Sequence, residues 1–157
     1  MFEVLVFVYE NYWRGDACPE LPQLSRKLSA AGFGSEEIEE ALNWLAGLNF
    51  AAQHAAESTP DQVSSQSTDS LRVYSSQEQE HLGAECLGFV SFLESAGVLP
   101  APMREIALDR AMAAPGTPVS LDDLKIIILM VYWSFGEEPD ALILDELCDD
   151  ARVRIAH

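Results

Sequence analysis

Residues 126–133 read "IIILMVYW", the most apolar run in the chain. This run limits the possible folds more than any other feature. Eight residues fall far short of the roughly 20 that a helix needs to cross a bilayer. The run lies inside "LDDLKIIILMVYWSF", residues 121–135, and Ser120-x-x-Asp123 has the spacing of a capping box that opens a helix. After Lys125 that helix is apolar on nearly all sides, and such a helix must be enclosed by others. It is expected at the centre of a C-terminal core.

The segments around it repeat at helical spacing. Phe2, Leu5, Val6, Tyr9, Tyr12 and Trp13 mark a wide apolar face on residues 1–14, with Gly15 as a stop. Leu21, Leu24, Leu28 and Ala31 mark a second helix, broken by Gly32-Phe33-Gly34. Ser35 is placed to cap a third, with Glu36 and Glu37 opposing the positive end of its dipole and Ile38, Ala41, Leu42, Leu45 and Leu48 facing inward. "NFAAQHAAE", residues 49–57, fits either a helix or a short strand. Residues 58–70, "STPDQVSSQSTDS", hold Val63 as their only aliphatic side chain and are expected to be a mobile loop. "LRVY", residues 71–74, alternates as a strand does.

Three helices, a strand, a loop and a second strand is the order of a winged helix. Beyond it, Ser75-x-x-Glu78 opens a helix to about Ser95, with Leu82, Cys86, Phe89, Val90 and Leu93 inward and Gly97 as its stop. Pro100 and Pro102 start another, carrying Met103, Ile106, Ala107, Arg110 and Ala111, and "ALILDELCDD" reads as a last one. The expected fold is mainly α. A winged-helix-like unit over residues 1–74, three helices plus a short two-stranded wing, packs on a helical module of about four helices over residues 75–150. Residues 151–157 form a frayed tail.

Charge narrows the function classes. The chain carries 26 acidic residues against 9 basic ones, a formal net charge of −17, and a hydrophobic content of 48% that marks a folded protein. That balance opposes binding to nucleic acid or to an anionic membrane and favours a partner protein with a basic surface. Cys18, Cys86 and Cys148 are odd in number and far apart, and "MFEVLVFVYENYW" has neither the basic region nor the cleavage site of a secretory signal. A reducing, cytoplasmic location is expected.

No catalytic motif stands out. Glu78, His81 and Glu85 share one face at i, i+3 and i+7, and Glu-x-x-His is the spacing of di-iron bundles. Neither His54 nor His157 has a glutamate three residues before it, so a second half-site is missing and the exposed polar face is the simpler reading. Cys86 falls on an inward face beside Glu80, Glu85 and Glu94, which is no setting for a thiolate. No Walker A, G-x-S-x-G or G-x-G-x-x-G sequence is present. Neither a cofactor nor a catalytic or metal residue is expected.

The helix-turn-helix stretch "GFGSEEIEEALNWLAGLNF", residues 32–50, would ordinarily face DNA. Its exposed positions are Glu36, Glu37, Glu39 and Glu40, with no Lys or Arg following. Those carboxylates carry the charge of the phosphates they would have to touch. They are instead the candidate partner surface of a protein-interaction module. The alternative is an accessory protein that binds nucleic acid through a local basic strip of Arg26, Lys27, Arg72, Arg152 and Arg154. An enzyme with an unrecognised site is the third reading.

"MFEVLVFVYENY", "LSAAGF", "IEEALNWL", "LRVYSSQE", "GFVSFLE", "MREIALDRAM" and "SLDDLKIIILMV" occur in an order that resembles the Smg family of bacterial proteins over essentially the whole chain. The resemblance implies a bacterial cytosolic protein and brings no assigned reaction with it. Smg genes often lie near those of a DNA-processing protein of natural transformation and a type I topoisomerase. The resemblance therefore implies an accessory role beside DNA-processing proteins.

Overall fold

The computed structural model describes residues 1–12, 20–57, 73–115 and 118–137. Among them are six α-helices and no strand: α1 (Phe2–Tyr12), α2 (Leu21–Ala31), α3 (Ser35–Glu57), α4 (Ser76–Ser95), α5 (Ala101–Met112) and α6 (Leu121–Ser134). The expected last helix, "ALILDELCDD", the tail at 151–157 and the loop at 58–70 lie outside the described residues.

Helix α6 is the axis of the core. The Ser120 hydroxyl accepts the Asp123 amide at 3.2 Å, and Asp122 and Asp123 sit in the first turn, where a helix dipole favours them. Every residue from Leu124 to Tyr132 is buried, Lys125 included. The chain leaves at Gly136, whose φ of +66° is open to glycine, and the Glu137 amide returns to the Tyr132 carbonyl at 3.1 Å. α6 packs against α1, α3, α4 and α5, so it centres a wider core than a C-terminal one alone. Among the described residues, one hydrophobic cluster runs from Val4 to Tyr132.

On α1 the buried residues are Val4, Leu5, Val6 and Val8, while Phe2, Tyr9 and Tyr12 sit half-buried on its flanks. Trp13 lies outside the described residues. α2 ends at Gly32, whose φ of +100° lets the Phe33 amide reach the Leu28 carbonyl. Leu24, Leu28, Ile38 and Leu45 are buried together where α2 meets α3, and Leu42 packs half-buried against them.

The two-stranded wing is not supported: no strand is present among the described residues. α3 continues to Glu57 and takes in the whole of residues 49–57. The reason is compositional. "NFAAQHAAE" holds four alanines, the residue most favourable to a helix, and Ala51 and Ala52 extend the buried side of α3. The segment expected to supply one edge of the hairpin is thus part of a helix, and half of "LRVY" lies outside the described residues. Its described residues, Val73 and Tyr74, carry no regular structure, and Val73 is 89% exposed. Among the described residues, the helix-turn-helix of α2 and α3 is accompanied by no strand of a winged helix.

α4 opens with the expected reciprocal cap. The Ser75 hydroxyl accepts the Glu78 amide and the Glu78 carboxylate accepts the Ser75 amide. The helix then breaks at Gly83, with φ +76° and ψ 165°. That region is essentially reserved for glycine. The segment after α5 is stitched to the break: the Val119 amide donates to the His81 carbonyl at 2.7 Å, and the Cys86 thiol donates to the Val119 carbonyl at 3.3 Å. A Cβ on Gly83 would meet no neighbour within 4 Å, so any penalty there is backbone strain alone. Gly83→Ala is expected to cost about 1–3 kcal/mol of stability in urea unfolding. Gly88→Ala, in the same helix and also in open space, is expected to be neutral or stabilising. Equal effects at the two positions would remove the conformational explanation.

Candidate functional site

The sequence-derived surface residues lie on α3. Its inward side is set by Ile38, Ala41, Trp44, Leu45, Leu48 and Ala52, all buried. Glu36, Glu37, Glu39 and Glu40 are exposed away from that side. The Glu37 carboxylate accepts the Gly34 amide at 3.4 Å, a contact that tightens the turn before the helix. Among the described residues, no Lys or Arg forms an ion pair with any of the four.

Trp44 was not among the expected inward residues. It is 4% exposed, and its indole N–H donates to the Arg110 carbonyl at 3.1 Å, tying α3 to the end of α5. Its place three residues after Ala41 and four before Leu48 is the signal that widens the stripe. Arg110 lies over the same helix. A Cβ on Gly47 would sit 2.1 Å from its Nη1, so glycine is what lets the guanidinium cross α3 at that level. Arg110 Nε and Nη2 both donate to the Asp109 carboxylate, at 3.1 and 2.8 Å. A cleft of about 370 Å³ opens beside this crossing, lined by Met1, Glu40, Asn43, Trp44 and Arg110 among others.

Of the candidate basic strip, Arg26 and Lys27 are exposed on α2, and the Lys27 ammonium lies 5.2 Å from the centre of the Tyr12 ring. Arg72, Arg152 and Arg154 lie outside the described residues, so only these two of the five are placed.

The Glu78, His81, Glu85 alignment is interrupted by the break at Gly83, which falls between His81 and Glu85. Glu78 caps its helix, and His81 Nε2 lies 3.0 Å from the Ala111 carbonyl. Both are built into helix connections. Among the described residues, no three His, Cys, Asp or Glu side chains gather where a metal ion could be held.

Cys86 lines a second cleft, of about 480 Å³, bounded by Gly83, Glu85, Pro118, Val119, Ser120 and Asp122. Burial pushes its thiol up to about 11, and the carboxylates of Glu85 and Asp123 push in the same direction. The thiol stays protonated through neutral pH and donates to Val119, which is the opposite of an activated nucleophile.

Two buried cations escaped the sequence reading. Arg104, 5% exposed, pairs with Glu94 and Glu105 and bridges the end of α4 to α5. Lys125, equally buried, holds its ammonium 5.7 Å from the centre of the Phe89 ring. Neither opens onto a described cleft.

A family described as "protein of unknown function (DUF494)" matches residues 1–157. The chain is 63% identical over 158 residues to a protein of Methylibium petroleiphilum named Protein Smg homolog. It is 64% identical over 157 residues to a protein of the same name from Leptothrix cholodnii, and 48% identical over 157 residues to one from Bordetella petrii. Each alignment covers 100% of this chain and 100% of the relative. The shared name states no activity. No solved structure matches the chain.

Proposed function

The chain belongs to this family, the Smg proteins, and we propose that it is a non-catalytic interaction module of the bacterial cytosol. It docks a basic protein partner through Glu36, Glu37, Glu39 and Glu40 and serves as an accessory to DNA-processing proteins. The observation that carries the reading is the state of the four carboxylates. They stand exposed on a helix whose other side is locked into the core, and no cation among the described residues neutralises them. A formal net charge of −17 extends the same field over the molecule and speeds encounter with a cationic surface. Nucleic acid meets like charge at the helix it would have to engage. No helix among the described residues is long and apolar enough to cross a membrane.

Affinity capture from native cytosol, with and without nuclease, tests the proposal. Partners with basic surfaces that survive nuclease support it. Partners that vanish with nuclease favour contact through nucleic acid and the basic strip begun by Arg26 and Lys27.

A further inference from the structure

The outward side of α3 carries more than carboxylates. Steps of four and three connect Glu36, Glu40, Asn43, Gly47, Phe50 and His54, which places them along one stripe of the helix. Phe50 is 62% exposed although an unbroken core lies on the opposite side of the same helix. Its ring leans on the His54 imidazole, centroids 4.1 Å apart at 43°, so the aromatic surface is held outward and does not fold back. Between the two ends, Gly47 presents no side chain, and the Arg110 guanidinium that crosses there is matched by Asp109. The stripe is anionic at one end, crossed in the middle by the Asp109-matched Arg110 guanidinium, and aromatic at the other end, where the His54 imidazole lies 4.0 Å from the Glu57 carboxylate. Ten residues of helix separate Glu40 from Phe50, about 15 Å along the axis.

We propose that this stripe docks a single helical segment of a partner protein. That segment lays Lys or Arg side chains over Glu36, Glu39 and Glu40 and an apolar side chain over Phe50, about ten residues further along. The inference rests on the acidic-surface reading and adds the apolar anchor and its spacing. Charge complementarity selects the occupant. A second copy of this chain would offer the carboxylates no Lys from the same stripe, its Arg110 is engaged by Asp109, and its His54 already faces Glu57 at 4.0 Å. Phosphate-rich surfaces meet repulsion at the anionic end. The aromatic end asks for an apolar contact that charge alone does not provide, and an aromatic side chain ringed by near-neutral contacts is the usual form of a binding hot spot.

The test places the photo-crosslinking residue p-benzoylphenylalanine at position 43 or 50 of the full-length protein, expressed in its native host, and sequences the trapped peptides. Both positions are expected to trap one protein within a stretch of about ten residues, rich in Lys or Arg at the 43 end and apolar at the 50 end. Phe50→Ser is expected to leave the melting temperature unchanged and to cut crosslinking at position 43 by about tenfold. If Phe50→Ser has no effect while Glu36, Glu39 and Glu40 reversal abolishes crosslinking at position 43, the composite stripe is wrong and the acidic-surface reading stands. If neither change matters, or neither position traps a protein, both readings fall. Trapping of a second copy of the chain, or of unrelated proteins at the two positions, overturns the stripe.

Discussion

Replacing Ile128 by alanine is expected to lower the unfolding free energy by about 2–5 kcal/mol, read from urea melts by circular dichroism. Ile128 is 0% exposed, as are Leu124, Ile127, Met130 and Val131 around it on α6. The helix is walled by α1, α3, α4 and α5, so the surroundings cannot collapse onto the lost methyl groups without moving several elements at once. That geometry favours the upper half of the range, because a cavity that cannot relax adds its own cost to the lost transfer energy. A typical domain has about 5–15 kcal/mol of stability in total, so the variant is expected to be marginal at 37 °C. Ile128→Val removes one methylene and is expected to cost about 0.5–1.5 kcal/mol. A cost near zero for the alanine variant would place α6 at an interface and would contradict its position at the centre of the fold.

The helices were legible because a period of 3.6 with strong caps is a local signal. Ser75 with Glu78, and Ser120 with Asp123, set their helix starts through contacts three residues apart. The run after Lys125 announced a surrounded helix, although it could not say that α1 and α3 would be among its neighbours. The wing failed for the converse reason. Alternation in "LRVY" describes half of a ladder, and whether its partner forms is decided by a segment whose alanines prefer a helix. Gly83 was silent because an interior glycine reads only as a weak helix position, while its real role depends on Val119 reaching the His81 carbonyl across the fold. Arg104 and Lys125 were missed because a charge is read as outward until a partner is seen. Arg104 has Glu94, ten residues earlier, to hold it inside. At the candidate site, the glutamates were legible against the Ile38 and Leu45 side of their own helix. Phe50 was not, because its exposure matters only once α3 is known to continue past Leu48.

Reversal of Glu36, Glu37, Glu39 and Glu40 to lysine is expected to leave the fold intact and to remove the partner. The four side chains are exposed, so their loss opens no cavity. Glu36 and Glu37 lie in the first turn of α3, where each carboxylate is worth about 0.3–1 kcal/mol against the helix dipole. The penalty of reversing them remains within the margin of a folded domain. The effect on association is much larger. Attraction becomes repulsion at the point of contact, and the on-rate for a cationic partner is expected to fall by about tenfold or more at low salt, with the difference narrowing as salt is added. Gel-shift assays give the complementary measurement. The unmodified protein is expected to show no DNA binding at physiological salt, while the reversed protein gains weak binding that salt abolishes, because a helix-turn-helix without its carboxylates can approach phosphates. Tight DNA binding by the unmodified protein, weakened by Arg26→Ala and Lys27→Ala, would overturn the assignment of this face to a protein partner. Partner capture that survives the reversal undiminished would reduce the four glutamates to the solvated side of an ordinary helix.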